Sequence, residues 1–144
     1  MNVEGLLKGK GTEVHSITPG SSVSELLAAL AQHRVGALVV SGDGQAVDGI
    51  VSERDVVRAL AERGPGLLDG AVADVMTTDV VTCSPGTTVE QLMVLMTSRR
   101  IRHVPVLVDD RLHGIVSIGD VVKDRMEELE TETKVLHEYI AHGR

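Results

Sequence analysis

Gly49-Ile50-Val51-Ser52-Glu53-Arg54-Asp55-Val56-Val57 and Gly114-Ile115-Val116-Ser117-Ile118-Gly119-Asp120-Val121-Val122 are one segment written twice, with seven of nine positions identical. Upstream, past a loop that is one residue shorter in the second copy, the register continues at an offset of 66 residues. It sets Val14-His15-Ser16-Ile17-Thr18-Pro19-Gly20 above Val80-Val81-Thr82-Cys83-Ser84-Pro85-Gly86. Val23/Val89, Leu26/Leu92, Arg34/Arg100, Val40/Val106 and Asp43/Asp109 fall in between. Self-similarity in register over this length marks a duplicated structural unit.

Each copy has the same local grammar. An extended segment, Val14 to Ile17 or Val80 to Cys83, stops at Pro-Gly, which a strand cannot cross and a turn favours. Ser22-x-x-Glu25 and Thr88-x-x-Gln91 have capping-box spacing. Apolar residues then recur at 23, 26, 27 and 30, and at 89, 92, 93 and 96, the spacing of one buried helical face. Two short β-rich runs follow, Ala37 to Val40 and Gly49 to Val51 in the first copy, with Asp43-Gly44 as the turn. Their counterparts are Val104 to Val108 and Gly114 to Val116, turned by Asp109-Asp110. Ser52 and Ser117 cap a closing helix. The order is strand, helix, strand, strand, helix, twice, an α+β chain. Copies of about 50 residues bury too little surface to stand alone, so the two must pack on each other, about a pseudo-twofold axis.

The boundaries read as repeat 1 over 8–63, a Gly-Pro-containing linker over 64–70, repeat 2 over 71–124, and a helical extension over 125–144. A short helical turn around Val72 to Val75 leads into the second copy. From Asp120 the chain runs 23 residues without Gly or Pro, roughly 35 Å of helix. Val122, Met126, Leu129, Thr133, Leu136 and Ile140 alternate four and three apart along it, a coiled-coil-like seam. That seam predicts a dimer; the competing arrangement is a helix lying over Leu6 and Leu7 of the same chain.

Composition removes several function classes. Aromatic residues are 1% of the chain, with no Phe or Trp, so base-stacking platforms for single-stranded nucleic acid are missing. A net charge of −7 opposes duplex DNA as well. One cysteine makes neither an internal disulfide nor a Cys-rich metal site and points to a reducing compartment. No apolar run approaches the roughly 20 residues of a membrane span, and no signal-peptide h-region opens the chain, so a soluble cytoplasmic protein is expected. Cys83 aligns with Ile17 and reads as an apolar strand thiol. The histidines lack metal-ligand spacing, and no Walker sequence, nucleophile elbow or Gly-x-Gly-x-x-Gly occurs. No metal, no required cofactor and no enzymatic activity are expected.

Ser52…Asp55 and Ser117…Asp120 each sit where a strand runs into a helix N-terminus. Free N–H groups and the positive end of the helix dipole favour anions there. Such a carboxylate serves either as a local cap or as a grip for the 2′,3′-diol of a ribose. Both readings are open on the residues alone.

The doubled βαββα pattern, the paired Gly-Ile-Val-Ser-x-x-Asp segments, the Asp74-Val75-Met76 lead-in and the Arg102-His103-Val104-Pro105-Val106 run resemble a tandem cystathionine-β-synthase (CBS) domain pair, a Bateman module, over about residues 8 to 125. The resemblance implies a stand-alone sensor that binds an adenosine-containing ligand between the repeats: AMP, ADP, ATP, S-adenosylmethionine or a dinucleotide. It implies ribose at Asp120 and Asp55, and phosphate at Arg102, His103 and Ser117, with Arg54 reaching in from the other repeat and Ser52 in the first cleft. Adenine would be read mainly by backbone groups of Ser16 and Thr18 and of Thr82, Ser84 and Pro85. Because Gly36-Ala37 offers no charge where the second copy has Arg102-His103, the Asp120 cleft is expected to be the better site. Two or three charge-assisted hydrogen bonds plus adenine burial reach about −7 to −8 kcal/mol, a micromolar ligand. A homodimer through the repeat helices and the tail, and an effector protein, complete the expected partners. The competing readings are a purely structural or interaction module with degenerate clefts and, less well supported by the residues, a nucleotide-processing enzyme.

Overall fold

Strand pairing follows the doubled grammar closely. The computed structural model describes residues 1–142. In the first repeat β1 (Ser16–Ile17), α2 (Val23–His33), β2 (Ala37–Val40), β3 (Gly49–Ser52) and α3 (Glu53–Arg63) follow α1 (Val3–Lys10). Two 3₁₀ turns, Pro65–Asp69 and Val72–Asp74, lead to α4 (Val89–Arg99), β4 (His103–Val108), β5 (Arg111–Ser117) and α5 (Ile118–His142). β1 pairs parallel with β2, which pairs antiparallel with β3. β4 and β5 pair antiparallel. The first strand expected of the second repeat shrinks to one parallel bridge, Cys83 to Val106.

The helix ends repeat as well. Ser22 and Thr88 accept hydrogen bonds from the N–H groups of Glu25 and Gln91. Arg34 (φ 54°) and Arg100 (φ 53°) close α2 and α4 in the left-handed conformation. This turns Val35 and Ile101 back, so that their N–H groups reach Leu30 and Met96 carbonyls at 3.1 and 3.0 Å.

Each repeat has its own aliphatic core, and each is completed by the segment that precedes the other. Val72 is fully buried among Val23, Leu26, Leu38 and Val51 of the first repeat, with Val75 and Met76 packed alongside. Val3, Leu6 and Leu7 are buried among Val89, Leu92, Val104 and Val116 of the second. The exchanged segments are pinned by matching bonds. Val72 N–H donates to Ser21 O and Val3 N–H to Thr87 O, both at 2.8 Å. Ala73 N–H donates to Pro19 O at 3.0 Å and Glu4 N–H to Pro85 O at 2.9 Å. Asp74-Val75-Met76, read in the sequence as the lead-in of the second copy, therefore serves the core of the first. The helix α1 is a further departure from expectation: Asn2 caps it, its Oδ1 accepting from Gly5 N–H, and its apolar side fills the second core.

Two glycines show how close this exchange is. A Cβ on Gly49 would lie 2.8 Å from Met76 Sδ and 2.9 Å from Thr77 O, and one on Gly114 would lie 2.8 Å from Leu7 Cδ2. These glycines occupy equivalent positions in the two copies, so the two halves and their crossed lead segments share one pseudo-twofold axis.

Candidate functional site

At both strand-to-helix junctions the sequence builds the same reciprocal cap. Ser52 N–H and Oγ donate to Asp55 Oδ2 at 2.8 and 3.0 Å, and Asp55 N–H donates back to Ser52 Oγ at 3.3 Å. Ser117 N–H and Oγ donate to Asp120 Oδ2 at 2.8 and 3.0 Å, and Asp120 N–H returns to Ser117 Oγ at 3.2 Å. The preceding turn repeats too, with Glu53 N–H on Gly36 O at 3.0 Å and Ile118 N–H on Arg102 O at 2.8 Å. The capping reading is thus correct for both aspartates. It does not exhaust them, because each cap engages Oδ2 and, among the described residues, no hydrogen bond falls on Oδ1.

The second junction carries an extra group that the sequence reading missed. Lys10, at the end of α1, donates from Nζ to Asp120 Oδ2 at 2.7 Å and to Ile115 O at 2.9 Å. Burial pulls the Asp120 carboxyl upward, but the Lys10 hydrogen bond and charge together with the Ser117 donors outweigh it and hold the group below its ordinary value. Only the apolar spacing of Val3, Leu6 and Leu7 hinted at a helix here; nothing local connects position 10 to position 120.

Arg102 and His103 begin β4, where His103 is in register with Ser117. His103 is held below its ordinary value by burial first, then by the charges of Lys10 and Arg102. The repeats meet here: a Cβ on Gly36 would stand 3.7 Å from His103 Cε1 and 3.9 Å from the Glu53 carboxyl. Lys10, Arg102, His103, Asp120 and Glu53 therefore form one charged cluster at the junction of the halves. Arg54 is exposed and makes no hydrogen bond or ion pair among the described residues.

The proposed adenine-reading segments keep open backbone in part. β1 is an edge strand, so one side of Ser16 faces away from the sheet, while Thr18 lies just beyond it with its carbonyl taken by Ser21 N–H at 3.1 Å. Cys83 gives its N–H to Pro105 O and accepts from Leu107 N–H, which turns the backbone of Thr82 and Ser84 the opposite way. Ser84 N–H bonds Thr87 Oγ1, and Pro85 O is occupied by Glu4 N–H. Burial pushes the Cys83 thiol up to about 11, so it stays protonated at neutral pH. His15 and His33 stack with ring centroids 3.6 Å apart. Among the described residues no group of three or more His, Cys, Asp or Glu side chains could hold a metal ion.

Two open hollows of about 490 Å³ each lie along α5, the first lined by Ile118, Gly119, Val122, Lys123, Met126, Glu127 and Glu130. Neither is lined by Asp120, Arg102 or His103. They belong to an apolar side of α5 that the chain itself leaves uncovered: Val122, Met126, Leu129, Leu136 and Ile140 are 50–63% exposed. The tail does not lie along α1, which meets α5 at its base through Lys10 and Asp120. No helix among the described residues is long and apolar enough to cross a membrane.

The CBS domain family matches the chain twice, over residues 11–62 and 72–127. The chain belongs to the CBS domain family, as a tandem pair. It is 38% identical over 149 residues to the mitochondrial CBS domain-containing protein CBSX3 of Arabidopsis thaliana, covering 98% of this chain and 72% of that protein. The crystal structure of the CBS-domain containing protein ATU1752 from Agrobacterium tumefaciens is 46% identical, with a TM-score of 0.84 over 87% of this chain and 99% of that one. The CBS pair of protein MJ0100, solved with methylthioadenosine and S-adenosylmethionine, shares the fold at 23% identity, with a TM-score of 0.78 over 89% of this chain and 98% of that one.

Proposed function

We propose that this CBS pair is a non-enzymatic regulatory module that binds an adenosine nucleotide beside Asp120 and works as a dimer. The observation that carries the reading is the duplicated Ser-x-x-Asp grip. Each copy holds an oriented carboxylate at a helix N-terminus with one oxygen open, and the second copy surrounds it with Lys10, Arg102 and His103. A ribose diol donates to the carboxylate, and the 5′-phosphate takes charge-assisted bonds from Arg102 and His103. Adenine then lies against Thr82, Ser84 and Pro85, and in the first cleft against Ser16 and Thr18. A CBS pair of the same fold bound to two adenosine-containing ligands supports the ligand class. The Asp55 cleft, with Ser52 and Arg54 but with Gly36-Ala37 in place of Arg102-His103, is the weaker of the two.

The bare side of α5 supports the dimer, its Val122-Met126-Leu129-Leu136-Ile140 row meeting the same row of a second copy. Occupancy reaches an effector protein only if the ligand favours one arrangement of the dimer over another. Calorimetric titration with AMP, ADP and ATP tests the ligand; micromolar binding of at least one is expected, and no heat and no thermal stabilisation with any of them would favour a purely structural module. Light scattering of a chain truncated after Lys123 tests the dimer, which is expected to become monomeric; a truncated chain that stays dimeric places the interface elsewhere.

A further inference from the structure

The two aspartate grips agree to within a tenth of an ångström in their serine bonds to Oδ2, at 2.8 and 3.0 Å in both copies. Among the described residues, the carboxylates themselves differ in one bonded cation, Lys10, whose Nζ stands 2.7 Å from Asp120 and bonds nothing at Asp55. We propose that Lys10 sets the ligand charge preference of the Asp120 cleft, making it select phosphorylated adenosine over uncharged adenosine; the inference rests on the adenosine reading above.

The position of the ammonium is fixed before any ligand arrives. Gly11, at φ +97°, ends α1 with its N–H on Leu7 O at 2.7 Å, and the Lys10 side chain is tied to β5 through Ile115 O. An ammonium has three donors, and Asp120 and Ile115 take two, so one N–H remains for an incoming acceptor. The Lys10 side chain keeps 32% of its surface open to solvent, which leaves that donor reachable. Lys10, like Ser117, binds Oδ2, so it does not occupy the oxygen left for a ribose hydroxyl.

Charge balance gives the selectivity. Without Lys10, the carboxylates of Asp120 and Glu53 outnumber Arg102 around a neutral His103, and a phosphate would enter a negative field. With Lys10 the cluster is neutral and presents two cations to the anion. Neutral adenosine has no formal charge to feel the difference, whereas each phosphate charge does. The N-terminal segment thus brings to the second cleft a group that the duplicated unit itself does not encode.

Calorimetry with AMP and with adenosine, on the wild type, Lys10→Met and Lys10→Arg, tests this. Methionine keeps most of the apolar stem and arginine restores the charge. Losing one charge-assisted bond predicts that Lys10→Met weakens AMP by about 10- to 100-fold. Adenosine affinity is expected to change less than about threefold, and Lys10→Arg to recover most of the AMP affinity. A Lys10→Met variant that shifts AMP and adenosine together, shifts neither, or tightens AMP overturns the role of Lys10 while leaving the adenosine site standing. A wild type that binds neither ligand removes the adenosine reading, and the inference with it.

Discussion

Replacing Asp120 by Asn keeps the shape of the side chain and removes its charge, and the same change at Asp55 is a built-in control. At position 120 the substitution loses the ion pair to Lys10, whose partners are about a third and a quarter exposed, a loss of about 0.5–1 kcal/mol. It also removes the negative charge from the first turn of α5, worth about 0.3–1 kcal/mol. The sum is about 1–2 kcal/mol. For a chain of 144 residues, 1 kcal/mol corresponds to about 3 °C in Tm, so Asp120→Asn lowers Tm by about 3–6 °C. Asp55 has the same serine bonds and no lysine, so Asp55→Asn lowers it by about 1–3 °C. Scanning calorimetry of the two variants reads this difference directly, and a double-mutant cycle with Lys10→Met isolates the pair. Equal losses at the two positions, or no loss at Asp120, would refute the assigned geometry. In titrations with AMP, Asp120→Asn is expected to weaken binding at least about tenfold, because a charged acceptor for the ribose hydroxyls is gone.

The crossed lead segments predict an asymmetry between two equivalent glycines. Gly49→Ala pushes against Met76 Sδ and the backbone carbonyl of Thr77, whereas Gly114→Ala meets only the movable Leu7 side chain. Gly49→Ala should cost about 2–3 kcal/mol and Gly114→Ala about 1 kcal/mol, read by urea denaturation; the reverse order would contradict the packing described. His103 gives a pH signature. Its folded value lies below the ordinary 6.5, so its neutral form is favoured by folding. That contribution is complete above pH 6.5 and declines as pH falls from there through the folded value. Tm of the wild type should therefore fall more steeply below pH 6.5 than that of His103→Gln, and parallel curves would argue against a buried His103. A bound phosphate raises His103, so AMP affinity should increase as pH falls from 8 to 6 in the wild type and not in the variant.

The duplication made most of the fold legible. Caps at Ser22, Thr88, Ser52 and Ser117 and aliphatic spacing at 23, 26 and 30 were local signals, and each produced the helix expected, whereas of the two extended segments before Pro-Gly one forms the strand Ser16–Ile17 and the other only the bridge at Cys83. The crossed lead segments were not legible, for a physical reason. Val3, Leu6 and Leu7 match Val72, Val75 and Met76 at an offset of 69, not the 66 or 65 of the rest, and share only apolar character. One became a helix and the other a 3₁₀ turn, so the equivalence exists in packing alone. Lys10 is hidden for the same reason: its partner is 110 residues away and on the other repeat. The caps at Asp55 and Asp120 were legible because a carboxylate three residues after a capping serine leaves a pattern that needs no tertiary knowledge. Arg54 was chosen by contrast with Gly119; its side chain is exposed, as is that of Arg102.

A crystal structure of the protein grown with AMP addresses the central claim most directly. The account predicts a nucleotide at the junction of the repeats, its ribose hydroxyls within hydrogen-bond distance of Asp120 and its phosphate beside Lys10, Arg102 and His103. Nucleotide density elsewhere with the Asp120 grip empty, or none at saturating AMP, would contradict it.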